Sequence, residues 1–482
     1  MLNWLKKRFA SEPPQRALTP GLNWLRARYD AAVTTHENRR HWSHADGLSA
    51  DAAGSPEVRR TLRNRARYEI ANNSYAKGIV LTLANDVIGT GPRLQVLSGS
   101  AEANRHIENE FSRWADAVRL ADRLRTLRMA RCSDGESFAL LANNPGLDSA
   151  VQLDLRLIEA DRVTAPALND DGSVDGITFD AAGNPISYSV LTEHPGNDTA
   201  ATWLGKFQRY PANSVIHYFR TDRPGQIRGI PDITPALPLF AHLRRFTLAV
   251  IAAAEIAALP GGVLYTDAPP NGEATDIEPM DLVELERGML MTMPGGWKMG
   301  QLKAEQPTTT YGEFKREILK EIARCLNMPY NVAAGDSSNH NYASGRLDHQ
   351  TYFKSIRVEQ RQLETTVLDR ILAAWLDEAA LIPGVLPDGI GPTGSLKHQW
   401  FWDGHEHVDP AKEARAQAIR LSSLTTTLAD EYAKRGLDWE TQLRQRAAEQ
   451  QLLRELGLSP DTQPSNSQDS DATDRIPAAT AA

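Results

Sequence analysis

Between residues 346 and 380, Tyr352, Ile356, Leu363, Val367, Ile371 and Trp375 stay on one helical face for about five or more turns. Helices in globular proteins average about three to four turns. A stripe this long has to cross a whole domain with one side buried, and the rest of the fold must be arranged around it. A second strict stripe lies just upstream. Phe314, Ile318, Ile322 and Leu326 recur at four-residue steps until Asn327-Met328-Pro329 ends the helix. The joint between the two reads NVAAGDSSNHNYASGR (residues 331–346), which is small, polar and glycine-bearing. A catalytic lid, a metal loop and a solvent-facing turn all suit that composition.

Ser55 as N-cap and Pro56 at the first helical position open an earlier helical segment. In it Val58, Leu62, Ala66 and Ile70 repeat every four residues, as do Tyr75, Ile79, Leu83 and Val87. Asn72-Asn73-Ser74 separates two helices, and Gly89-Thr90-Gly91-Pro92 stops the second. One more helix is expected over 101–131. From 136 to 220 the period falls to two. Leu153, Leu155 and Leu157 alternate with polar residues, GITFDAAGNPISYSVL reads as a hairpin, and SVIHYF (214–219) reads as a strand. Helices return at 236–258, 311–327, 346–380 and 410–456. The Pro/Gly-rich segment 260–309 carries two short strand candidates, GGVLYT and GMLMTM. The fold class is α+β and mostly helical.

The chain has 482 residues, 41% hydrophobic and 24% charged, with a net charge of −8. That balance argues against gripping nucleic acid over the whole surface, which takes clustered Lys and Arg. Two cysteines, Cys132 and Cys325, suggest a reducing compartment and no disulfide framework. The apolar run FTLAVIAAAEIAALPGGVL (246–264) is preceded by Arg244 and Arg245, interrupted by Glu255 and broken at Pro260-Gly261-Gly262. It is too short and interrupted for a bilayer span. A soluble protein with no membrane partner is expected.

Neither a G-x-x-x-x-G-K-[ST] loop nor a G-x-G-x-x-G is present, so ATP and dinucleotides have no motif here. In HQWFWDGHEHVDP, His398, His405, His407 and Asp409 are close enough in sequence to suggest a metal-dependent hydrolase. The same stretch also reads as a strand and a polar turn, with Asp409 capping a helix that starts at Pro410. CSDGESF offers Cys132, Asp134 and Glu136, but no His lies nearby, and the Asp-Gly pair reads as a turn into a strand. Cys325 reads as packing. Arg59, Arg60, Arg63, Arg65 and Arg67 form a DNA face, a subunit contact or a solvated helix surface.

Four blocks carry a resemblance. RNRARYEIANNSYAKGIVLTLANDVIGTGPRLQ (63–95), SVIHYFRTDRPGQIRGIPDITPAL (214–237), NYASGRLDHQTYFKSIRVEQRQL (341–363) and VDPAKEARAQAIRLSSLTT (408–426) resemble, in order, blocks of the lambda-type portal proteins of tailed bacteriophages. The resemblance spans residues 20 to 455. It implies a homo-oligomeric, dodecameric ring at one capsid vertex, in the virion and, during assembly, in the host cytoplasm. Double-stranded DNA would pass through its channel. The terminase large subunit would dock first and head-completion proteins later, with the major capsid or scaffold protein around the ring. No enzyme activity, catalytic residue, cofactor or metal is implied.

The implied map is an N-terminal arm (1–55), an α+β wing (56–235), a first stem helix (236–259), a clip (260–309) and a second stem helix (310–328). A channel loop (329–346), a long helix returning to the wing (347–409), a helical crown (410–457) and a disordered tail (458–482) complete it. In this family the joint between the second stem helix and the long helix points into the channel. The resemblance therefore implies that Ser337, Ser338, Asn339, His340, Asn341 and Arg346 face DNA. Their chemistry suits transient hydrogen bonds to phosphates, with Arg346 as the one strong cation.

Overall fold

The structure, a computed structural model, describes residues 35–165, 173–197, 206–258, 262–266, 297–301, 310–338, 342–387, 396–404, 410–433 and 435–458. The expected tail and most of the expected arm and clip lie outside these residues.

A short helix, α1 (Ala50–Ala53), precedes α2 (Pro56–Asn72), and the Ser55 hydroxyl accepts from the Val58 N–H as foreseen. Asn73 caps α3 (Ser74–Ile88) by accepting from the N–H groups of Tyr75 and Ala76. Gly89 closes α3 at φ +57, where a Cβ would collide with the Asp403 carboxylate. Strand β1 (Arg93–Val96) leads to α4 (Ala101–Ala117) and α5 (Leu120–Asp134).

The single helix expected over 101–131 is therefore two, broken at Arg119, which takes the left-handed conformation (φ 53°, ψ 50°). Val118 and Leu120 explain the break, because both are buried. On one continuous helix they would point about 200° apart.

Among the described residues six strands follow: β2 (Glu136–Asn143), β3 (Leu153–Ile158), β4 (Ile177–Phe179), β5 (Pro185–Leu191), β6 (Phe207–Pro211) and β7 (Val215–Phe219). They form two antiparallel sheets of order β3-β2-β7 and β4-β5-β6. Phe138, Leu140 and Val215 from the first sheet meet Tyr188 and Val190 from the second in a small core of their own.

Next come α6 (Leu237–Ala258) and an antiparallel pair, β8 (Gly262–Thr266) with β9 (Trp297–Gln301). GGVLYT is thus the strand expected, β9 was unforeseen, and GMLMTM lies outside the described residues. Helices α7 (Tyr311–Cys325), the short α8 (Tyr330–Ala334) and α9 (Tyr342–Leu363) follow. A π turn, Glu364–Leu368, then joins α9 to α10 (Asp369–Ala379). Strand β10 (His398–Phe401) pairs antiparallel with β1, more than three hundred residues upstream, and α11 (Pro410–Ser422), α12 (Leu428–Ala433) and α13 (Trp439–Glu455) complete the described elements. The expected 410–456 helical region is three helices.

All six residues of the long stripe are buried. The π turn explains how. Buried positions run 352, 356, 360 and 363, then 367/368, 371/372 and 375/376. Measured from Leu363, an unbroken α-helix would bury 366/367, 370/371 and 374/375. The second half of the stripe is one residue late, and a turn widened by one residue absorbs it. The stripe ends in an aromatic cluster where Phe111 meets Trp114, Trp375 and Trp400 at centroid distances of 5.2, 5.4 and 5.7 Å.

Candidate functional site

The joint singled out in the sequence is shorter than it looked, because α8 takes up its first residues. Gly335, left-handed at φ +65, ends α8. Asp336 then accepts from the backbone N–H (3.0 Å) and the hydroxyl (2.6 Å) of Ser338. Ser337 and Ser338 are exposed. Asn339, His340 and Asn341 lie outside the described residues. Arg346 is in the first turns of α9, and its side chain is outside them too. Across the base of the joint, Asn331 Nδ2 lies 2.9 Å from His349 Nε2, which ties α8 to α9.

What holds α9 in place was not anticipated. Tyr352 Oη donates to Asp86 Oδ2 (2.7 Å) and Gln360 Nε2 to the Val87 carbonyl (3.0 Å), fastening α9 to the end of α3. Two turns after Tyr352, Glu359 enters a buried charge cluster. Arg128 and Arg131, both on α5, pair with Glu359 and with Asp232, whose side chain is buried. Tyr218 Oη donates to Glu359 Oε1 (3.0 Å) and accepts from Arg131 Nη1 (2.7 Å). Burial, then Glu359, pushes the Tyr218 hydroxyl well above its usual pKa. Arg220 closes the set on Asp232 Oδ1 at 3.1 Å.

A second cluster lies beside the first. Glu136, fully buried at the start of β2, accepts from Arg228 Nε (2.8 Å) and Nη2 (2.7 Å), from the Gly229 N–H (3.2 Å) and from His217 Nε2 (3.0 Å). Burial pushes this carboxyl up, but Arg228 and His217 outweigh it and hold it below the usual carboxylate range. His217 is stacked between Phe138 and Phe219 at 4.2 and 4.4 Å. Burial holds its imidazole below the ordinary value against the pull of Glu136. Gly135 and Gly229 make the approach possible, since a Cβ on Gly229 would sit 2.0 Å from the Gly135 carbonyl oxygen.

The arginine set of α2 divides here. Arg60 and Arg65 are exposed. Arg59 and Arg63 are buried, pairing with Asp175 and Asp161, and Arg67 forks onto Asp134 at 2.8 and 2.7 Å. A DNA face or a solvated surface made of all five is thus corrected: three of them build the interior. Asp134 and Glu136 of CSDGESF are structural for the same reason. Cys132 is buried on α5, its thiol pushed up to about 12 by burial. Cys325 contacts the Asp232 carbonyl at 3.3 Å. In the suspected metal cluster, His398 hydrogen-bonds Asp369 (3.1 Å) and the Leu396 carbonyl (3.0 Å), while His405, His407 and Asp409 lie outside the described residues.

Three of the four sequence blocks converge on these clusters. The first supplies Arg63, Arg67 and Asp86, the second His217, Tyr218, Arg220, Arg228 and Asp232, and the third Tyr352, Glu359 and Gln360. Comparison with known proteins agrees with the blocks. The family model described as phage portal protein, lambda family, matches residues 36–360, more than half of the chain. The probable portal protein of Halomonas phage phiHAP-1 is 25% identical over 432 residues, covering 83% of this chain and 81% of its own. Portal protein B of Escherichia phage lambda is 20% identical over 467 residues, covering 86% and 87%. Among solved structures, a chain from the neck of an empty GTA particle computed with C6 symmetry aligns over 83% of this chain and 98% of its own, with 15% identity and a TM-score of 0.47. By the family match across its α2–α9 body, this protein belongs to the lambda family of phage portal proteins.

Proposed function

We propose that twelve copies of this chain close into a ring at one vertex of a phage capsid, and that double-stranded DNA enters and leaves through its channel. One observation carries the ring. Helix α6 is apolar enough in length and composition to cross a membrane, yet beyond Phe240 and Leu243, which reach the core, most of it lies in solvent. Leu248 is 56% and Ile251 48% exposed. Arg244 stacks over Tyr68 of α2 and keeps the start of the helix on the soluble body. Such a face marks an interface, and further copies of the chain would cover it.

In this reading α6 and α7 form the stem, and the segment between them is the clip where the terminase large subunit and then head-completion proteins dock. The major capsid or scaffold protein surrounds the wing. Ser337, Ser338, Asn339, His340, Asn341 and Arg346 face the DNA. A polar loop on a mildly acidic ring guides phosphates without the counterion-release binding that a Lys/Arg lining would produce. The packaging energy comes from the separate motor. Negative-stain electron microscopy with native mass spectrometry tests the ring. Annular particles with the mass of about twelve chains are expected, and a monomer that carries a stoichiometric metal would overturn the reading.

A further inference from the structure

In a closed ring each subunit contacts its neighbours through two different surfaces, because the contact runs head to tail. The α6–α7 pair offers two. Phe246 packs on Phe314 (4.6 Å) and Tyr311 (5.6 Å), and Thr247 meets Tyr311 Oη at 3.3 Å, so this side of α6 is occupied by α7. The other side is an exposed stripe at helical spacing: Ala241, Arg245, Leu248 and Ala252. On α7, Tyr311, Ile318 and Ile322 face inward, and the outer side exposes Glu313, Glu317 and Glu321 at four-residue steps. The two stripes thus lie on opposite flanks of the pair.

Their chemistry is complementary. The α6 stripe carries a cation among small and apolar residues; the α7 stripe is led by carboxylates, with Lys320 tied to Glu317 at 2.7 Å. Arg245 and Glu313 have no ion-pair partner among the described residues. Their heights match as well. Phe246 and Thr247 sit level with Tyr311 and Phe314, so Arg245 is level with the Glu313–Glu317 turn. With the pair set along the ring axis, rotation about that axis preserves height and the same level meets itself on the next copy.

We propose that the acidic flank of α7 docks on the α6 stripe of the adjacent copy, with Arg245 between the neighbour's Glu313 and Glu317 and with Leu248 against the same helix. This rests on the ring reading and specifies which surfaces close it. The small residues Ala241 and Ala252 let the two helices approach closely.

The test is a charge exchange read by native mass spectrometry. R245E is expected to lower the ring fraction at least tenfold while its monomer keeps the wild-type melting temperature. Adding E313R and E317R to R245E is expected to restore rings. A second measurement uses R245C with E317C, oxidised in the assembled protein. A ladder of covalent multimers is expected on a denaturing gel. Rings undisturbed by R245E, or only uncrosslinked or internally crosslinked monomer from the cysteine pair, would overturn the pairing and leave the ring itself standing. Wild-type protein that stays monomeric at every concentration would overturn both.

Discussion

Glu136 and Arg228 have no water to fall back on. Each is buried, and the other is its main source of solvation. Replacing Glu136 with Gln leaves the guanidinium with Asp175, at 3.0 Å, as its remaining carboxylate among the described residues, and breaking a buried pair from one side costs up to about 3–5 kcal/mol. E136Q should unfold at a correspondingly lower denaturant midpoint. The pH dependence follows from the same charge. The folded carboxyl is held below its unfolded value of about 4.3. Its stabilisation is therefore complete above that value and is lost as pH falls through the folded one. Acid titration of unfolding should show a weaker decline below about pH 4 in E136Q than in the wild type. An equally steep decline would mean that other carboxylates, such as Asp161 or Asp154, carry the acid response. At this scale the sequence was least legible. Arg59 and Arg60 are neighbours with the same side chain, and one is buried while the other is in water. The difference is set by Asp175, which no local pattern connects to them.

Elements were read more easily, since their signals are local. Ser55-Pro56, the 177–190 hairpin and the ends of α3 and α7 follow from capping and turn chemistry that acts within a few residues. The misses have a common cause. The break at Arg119 and the π turn at Glu364–Leu368 are decided by which side chains the surrounding core accepts, and the stripe hid the second because four-residue spacing looks regular. The π turn makes a specific prediction. Deleting exposed Thr365 converts it to α-helix and leaves both halves of the stripe facing the core. Deleting Ser355, ahead of the turn, rotates the later positions by about 100° relative to Tyr352. Thermal unfolding should place the Thr365 deletion within about 1–2 kcal/mol of the wild type, with the Ser355 deletion unfolded or far weaker. Equal damage from both would show that the bulge matters in itself. The joint at 331–346 was legible as a loop between helices; the role proposed for it rests on family resemblance, and α8 was too short to announce itself.

At the scale of the molecule, Arg128, Arg131, Asp232 and Glu359 bind α5, the segment before α6 and α9 into one rigid unit. The loop at Ser337 and Ser338 is therefore carried by a fixed frame, as the proposed guiding of DNA would require. If that loop lines the channel, Ser337→Lys with Ser338→Lys should slow packaging by a cognate motor, with the slowing relieved as salt is raised. Packaging rates that match the wild type at low and high salt would place the loop away from DNA.

The pairing of β1 with β10 has a consequence in time. Val96 lies opposite His398 in the strand pair, and Trp400 completes the aromatic cluster around Phe111. Translation runs from the amino end, so in a nascent chain the edge of β1 and this side of Phe111 wait for their partners until β10 has been made. The packing around α4 is therefore among the last parts of the body to be completed, whatever the speed at which its local helices form.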